Sequence, residues 1–272
     1  MQSGVTPEAP QVEFIREVRG WADGLYTAEF RDAEELRDRV VSALHRLELS
    51  EATAPVDSDE MLARARSFFS VDRGSPARLA VAVAFGPKQA VRRPSELDDG
   101  NLMAFARRAA LTGDHAVLST GEGTQDSLES GRIVLRQASA EVVIDELGSV
   151  ATVAPIWRKS QRDHRLMLAI IQEDLVAQIE NALAFANEAV EFLDQRHRLS
   201  HFAPVVRLMG AEYFGWQTRA QHDQSSNSAA VRLGGGIRPV SLVPPHRPRA
   251  ALRFDARRVA EDLVALLKRA WP

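Results

Sequence analysis

Apolar residues recur along this chain at two spacings, and each predicts a different element. Leu36, Val40, Leu44 and Leu47 follow the capping pair Asp32 and Glu35, so an amphipathic helix is expected over 33–48. A second helix is expected over 59–70, capped by Asp57 or Ser58, and a third from Ser95 and Glu96 to about Leu111. Ile170, Ile171, Leu175, Ile179, Leu183, Ala186, Val190 and Leu193 form a wide stripe that predicts one helix over 164–195. At ~1.5 Å per residue, it would be almost 50 Å long if unbroken. Pro204 stops it beyond "HRLSHFAP". "DARRVAEDLVALLKRAW" reads as a C-terminal helix with Val259, Leu263 and Leu266 on one face.

Strand signals fill the intervals. "GLYTAEF" alternates, and "RLAVAVAFGP" is a short apolar run ended by Gly86-Pro87. "HAVLST", "RIVLRQ", "AEVVIDELG" and "VATVAPI" predict an antiparallel meander over about 115–157, turning at Gly121 and Gly123, Ser130-Gly131 and Leu147-Gly148. "VVRLMGAEYFGWQT" is strand-like or loop-like, and "SAAVRL" and "PVSLVPP" flank "GGGIR" as a hairpin. The expected fold class is α+β: antiparallel sheet with a long central helix and a C-terminal helix. "SEATAPVDSDE" is small, polar and proline-bearing. It divides the chain into an opening segment (1–50), a linker (51–58) and a larger module (59–272).

Composition narrows the chemistry. At 45% hydrophobic residues, the 272-residue chain can bury a substantial core. The absence of cysteine excludes disulfides, thiol nucleophiles and thiolate metal sites, and fits a cytoplasmic setting. No apolar run approaches the roughly 20 residues of a membrane helix, and the N-terminus does not read as a signal peptide. A net charge of −3 disfavours nucleic acid as a partner. Five arginines in "HRPRAALRFDARR" read as a solvated helix entrance rather than a phosphate-binding patch.

Few residues form a chemical pattern. Gly121-x-Gly123 precedes a strand rather than a helix, so it reads as a hairpin and not a phosphate cradle. His197 and His201 are spaced to meet on a helical turn, but no third ligand accompanies them, so no metal is expected. Asp145-Glu146 read as turn residues. The densest mixture of aromatic and polar groups is "YFGWQTRAQHDQSSNS". There Tyr213, Phe214 and Trp216 supply a stacking wall, and Arg219, His222 and Asn227 supply polar anchors, for a candidate ligand pocket. No catalytic residue and no cofactor is expected.

"FIREVRGWADGLYTAEFRDAEELRDRVVSALHRLELS", residues 14–50, resembles the C-terminal end of the bacterial domain-of-unknown-function family 4062. The resemblance rests on Phe14, Val18, Trp21, Gly24, Glu29-Phe30, Leu36 and Val40. It implies a partial α/β remnant of a TIR-like or deoxyribosyltransferase-like domain. The strand and acidic loop that would hold a nucleotide in such domains are missing, so no catalytic residue carries over. The expected function is a non-catalytic module of a bacterial signalling or defence protein, sensing a small-molecule ligand or a protein partner. Self-association through the 164–195 helix is part of that expectation. The alternative is a nucleotide- or NAD-processing enzyme, for which Glu29 or Glu122 would be the nominated carboxylate.

Overall fold

The computed structural model describes residues 32–52, 56–69, 77–97, 100–156, 169–211, 214–224 and 238–271. The chain divides into two compact units, Met1–Thr53 and Ala54–Pro272. In the first, helix α1 (Ala33–Ala52) starts where the capping signal placed it. Asp32 Oδ1 accepts the Glu35 N–H at 2.8 Å, and Arg39 pairs with Glu35 at 2.7 Å. Leu36 and Val40 of its apolar stripe are exposed. The segment "GLYTAEF" lies outside the described residues.

The second unit begins with α2 (Ser58–Ser67) and β1 (Arg78–Gly86), followed by α3 (Pro94–Leu97) and α4 (Gly100–Thr112). A meander follows: β2 (Gln125–Glu129), β3 (Arg132–Arg136), β4 (Glu141–Asp145) and β5 (Val150–Pro155). Next come β6 (Ala169–Ile171), α5 (Gln172–Leu193), β7 (His201–Met209), β8 (Gly215–Gln217) and α6 (Arg219–Gln224). Short strands β9 (Val240–Ser241) and β10 (Arg247–Pro248) lead to α7 (Ala250–Phe254) and α8 (Ala256–Ala270). The main sheet runs β10-β7-β1-β5-β4-β3-β2, with β9 also paired to β7, and every pairing in it is antiparallel. β6 and β8 form a separate parallel pair. The architecture is α+β, with a long central helix and a C-terminal helix.

The sequence of β1 explains the layering. Strand side chains alternate between faces, and this strand alternates large with small. Leu79, Val81, Val83 and Phe85 enter the main core, together with buried residues of α4, α5, α7 and α8. Ala82 and Ala84 line the opposite face, where Ala151, Ala203 and Val205 join them beneath Met61, Ala65 and Phe68. That alanine surface lets α2 approach closely. A Cβ on Gly86 would lie 2.7 Å from Met61 Sδ, so glycine is what the end of β1 accommodates.

Three expectations are corrected. The central helix begins at Gln172, because Ala169–Ile171 pair with β8 instead, and its 22 residues span about 33 Å at ~1.5 Å each. Its buried residues, from Leu175 to Leu193, all face the interior of the module, so the stripe offered for self-association is already occupied. "HAVLST" is not a strand. The Val117 and Leu118 N–H groups donate to the Ala110 carbonyl at 3.0 and 2.9 Å, folding the segment back over the end of α4. Pro204 lies within β7, opposite Val83, between the stretches that β10 and β9 pair, where a missing N–H is tolerated. For the "GGGIR" hairpin, "SAAVRL" lies outside the described residues, while Val240–Ser241 pair with β7.

The end of α5 is locked by charge. Asp194 and Arg249 are both buried and meet at 2.8 Å. Asp194 also accepts the N–H groups of Arg198 at 3.0 Å and Leu199 at 2.8 Å. Removing Asp194 leaves the buried Arg249 with weaker contacts to Glu191 and the Leu199 carbonyl, both at 3.5 Å, so Asp194→Ala is expected to lose about 3 kcal/mol in urea denaturation. An Asp194→Leu, Arg249→Met double variant is expected to lose less than that single change.

Candidate functional site

A polar hollow of the second unit lies where α2 meets two hairpin turns. Asp57 Oδ1 accepts the N–H groups of Asp59 and Glu60, both at 3.0 Å, which fixes the start of α2. Helical spacing then turns Met61, Arg64, Ala65 and Phe68 toward the sheet. Arg64 is nine-tenths buried, an unusual place for a guanidinium. Its Nη2 donates to the Phe85 carbonyl and lies 3.7 Å from Glu60. Its Nε and Nη1 are buried with no hydrogen-bond partner among the described residues.

The β4–β5 turn supplies the facing wall. Asp145 Oδ1 accepts the Leu147 N–H at 3.0 Å and the Ser149 N–H at 2.7 Å, so Asp145 does shape a turn. Burial pushes the Asp145 carboxyl above its ordinary range, against the opposing pull of the Ser149 N–H and the Arg64 charge. Gly148 completes the turn at φ +79, and a Cβ there would sit 2.9 Å from Leu199 Cδ1. Ser130 and Gly131 turn β2 into β3 on the other side.

Between these elements lies an open hollow of about 370 Å³. Arg64, Lys88 and Arg132 bring positive charge to it, and Glu60, Asp145 and Glu146 bring negative charge. Lys88 lies 3.7 Å from Glu60 and is otherwise largely exposed. Arg132 stacks over the Phe68 ring at 4.7 Å and also borders a smaller hollow, of about 260 Å³, toward Arg136 and Glu141. The volume of the first hollow suits a small molecule.

The residues nominated from sequence fall elsewhere. Trp216, Arg219 and His222 gather at the start of α5, each engaged with a neighbour. The Trp216 ring lies 5.8 Å from that of Trp271, and its Nε1 donates to Gln172 at 3.4 Å. The Arg219 N–H donates to Glu173 at 2.8 Å, and its guanidinium pairs with Asp174. His222 Nδ1 is 3.2 Å from Gln217 Oε1. Tyr213, Asn227 and Glu29 lie outside the described residues. Glu122 is exposed in the loop before β2, its carboxylate accepting weakly from the Ser139 hydroxyl at 3.4 Å. In the arginine-rich stretch, Arg249 is buried against Asp194, while Arg247 donates to the carbonyls of Pro244 and His246 at 2.7 and 2.9 Å.

His197 and His201 do not share a helical turn, because α5 ends at Leu193 and His201 opens β7. His201 instead faces His246, with ring centroids 5.3 Å apart. Ser200 Oγ lies 2.9 Å from His201 Nδ1, and Ser58 Oγ 2.7 Å from His246 Nδ1. A hydroxyl beside an imidazole is the beginning of a nucleophilic site. Here, however, Asp57 already occupies the α2 N–H groups that could steady an oxyanion. Among the described residues, no group of three or more His, Asp or Glu is placed to hold a metal ion. No described helix is long and apolar enough to cross a membrane.

No protein-family model matches the chain, and no curated protein is detectably similar to it. The site therefore rests on its own residues. Its main signal lay in "EMLARARSFF", where Arg64 falls at helical spacing from Met61 and Phe68, on the apolar side of its helix.

Two measurements check this geometry. Gly148→Ala forces a Cβ into a positive-φ turn and is expected to lower stability by about 1–3 kcal/mol in chemical denaturation. Burial and the neighbouring His246 hold the His201 imidazole below its usual range. As pH falls through about 6.5, the unfolded imidazole takes up a proton before the folded one does, so stability declines with acidification. The thermal midpoint of His201→Gln is therefore expected to drop less between pH 7.5 and 5.5 than that of the unsubstituted chain.

Proposed function

We propose that this chain is a non-catalytic sensing module that binds a small polar ligand in the hollow between α2 and the β2–β3 and β4–β5 turns. One observation carries the reading: the Arg64 guanidinium borders the hollow, and two of its buried nitrogens have no partner among the described residues. Native structures rarely leave such groups unmatched, because each costs desolvation that nothing returns. The wall is also built for binding rather than turnover. The Asp145 carboxylate is committed to two backbone donors, and Glu60 is shared between Arg64 and Lys88. Neither is arranged as an acid–base pair around a nucleophile.

Occupation of this hollow would be felt by several elements at once. Its lining comes from α2, the loop after β1, and both turns of the meander. A ligand that draws α2 and the turns together would raise the stability of the module, which is how a sensing domain reports to what it is joined to. The resemblance at 14–50 agrees with a signalling or defence setting, with a protein partner receiving the signal. The enzyme alternative has no comparable support from the described residues.

A thermal-shift screen of polar metabolites against the full chain tests the reading. At least one compound is expected to raise the midpoint of the unsubstituted chain by a few degrees. The same compound is expected to leave Ala63→Trp unmoved, since Ala63 is an exposed helical position on the rim and the indole would fill the space. A screen without hits, or hits indifferent to that substitution, would overturn it.

A further inference from the structure

We propose that the ligand of this hollow is a small anion, recognised through a phosphate or carboxylate group held between Arg64 and Lys88. The inference rests on the sensing reading above and adds the chemistry of what is sensed.

Several charges around the hollow are already engaged. Asp145 is committed to the turn: its Oδ1 holds the Leu147 and Ser149 N–H groups. Burial raises its pKa while the Arg64 charge pulls it down, so Asp145 and Arg64 also interact across the wall. The Glu146 carbonyl accepts the Val91 and Arg92 N–H groups, which ties its backbone to the loop beyond β1 and leaves its carboxylate as a further negative charge that an anion must face. Glu60 is the carboxylate in range of both Arg64 and Lys88, at 3.7 Å from each. Those distances are ion-pair contacts outside hydrogen-bond range. The two cations therefore share Glu60, and neither makes a close, charge-assisted bond to it.

An arriving anion would improve on that arrangement. Lys88 presents a mobile ammonium at the rim, its side chain 62% exposed, whereas the Arg64 side chain is 8% exposed and fixed in place by the Phe85 carbonyl. A fixed guanidinium paired with a flexible ammonium is a combination suited to phosphate and carboxylate groups. In this scheme Glu60 is the competitor. It occupies the cations when the ligand is away and swings aside when an oxyanion takes its place. A cationic ligand would require the reverse, with Glu60 as its anchor, so the same substitution distinguishes the two chemistries.

The experiment follows the Arg64 Nε–H resonance by nitrogen–proton NMR while the full chain is titrated with inorganic phosphate or succinate at constant ionic strength. A saturable shift is expected. Response at lower phosphate than succinate concentration assigns a phosphoryl ligand, and the opposite order assigns a carboxylate. Glu60→Gln is expected to tighten binding about two- to fivefold, and Lys88→Ala to weaken it about as much, the range of a partly exposed ion pair. Arg64→Gln, followed by calorimetry, is expected to weaken binding by about ten- to a hundredfold, as befits a lost charged hydrogen bond. Should Arg64→Gln fail to fold, the Glu60 and Lys88 variants decide the question. No shift at tens of millimolar, tighter binding of spermidine than of either anion, or weaker anion binding by Glu60→Gln would overturn the inference. If a screening hit remains sensitive to Ala63→Trp in that event, the sensing reading stands and the anion chemistry alone falls.

Discussion

The carboxylate of Asp194 is the point on which the second unit turns. It receives the Arg198 and Leu199 N–H groups and the Arg249 guanidinium. Those bonds end α5, reverse the chain and aim it into β7. Two further backbone bonds close the corner: Ser200 N–H to the Gly86 carbonyl and Arg249 N–H to the Ser200 carbonyl, both at 2.8 Å. The end of the central helix, the end of β1, the start of β7 and the entrance to the C-terminal helices are thus held at one place. Desolvation offsets much of the attraction in such a buried pair, so its main contribution here is direction rather than net stability. A leucine at either position would fill the volume without specifying which way the chain leaves the helix.

With that corner set, the two faces of the sheet can be specialised. One face carries the bulky residues of β1, β3 and β4 against α4, α5 and α8 and holds the larger core. The other is floored by alanine and covered by the ten residues of α2, which meets β1 and β7 most closely. Because α2 is short, its coverage gives out toward β3 and β4. There the side chains change from apolar to charged, and the hollow forms at that boundary. Its position follows from the length of one helix and the reach of two turns, without a dedicated pocket-forming insertion.

This account also explains how much the sequence disclosed. The α+β class, the β3–β5 meander and the C-terminal helix follow from local signals: period-two alternation, glycine at the turns, and apolar residues three and four apart. Asp145 as a turn residue belongs to the same category. The start of the central helix was not legible, because Ile170 and Ile171 continue the helical stripe while also being β-branched residues that β8 claims by pairing. "HAVLST" carried a strand composition, yet the carbonyl at the end of α4 captured its amides. Binding was sought where aromatic and polar residues are dense, at Trp216, Arg219 and His222. Trp216 and Arg219 prove to be engaged with the first turn of α5, and His222 with Gln217. Density in sequence measures how many polar groups are nearby, not whether they are satisfied. For Trp216 and Arg219, satisfaction depends on partners more than 40 positions away.

Arg64 makes the same point from the other side. On a helical projection it belongs to the buried stripe, and a leucine there would have served packing against the sheet. The chain instead keeps a cation, partnered by one carbonyl and one distant carboxylate, beside an acidic group that burial discourages from ionising. Burial of the guanidinium and its two unpartnered nitrogens work against stability and place an under-satisfied positive charge at the wall of an open hollow. The surrounding structure is strong enough to hold it there: Met61, Ala65 and Phe68 pin the helix on either side, and Asp57 fixes its start. Local strain of this kind persists where the remainder of the fold over-determines the geometry. A ligand that supplies the missing acceptor recovers part of the desolvation cost, so binding and stability at this site are thermodynamically linked.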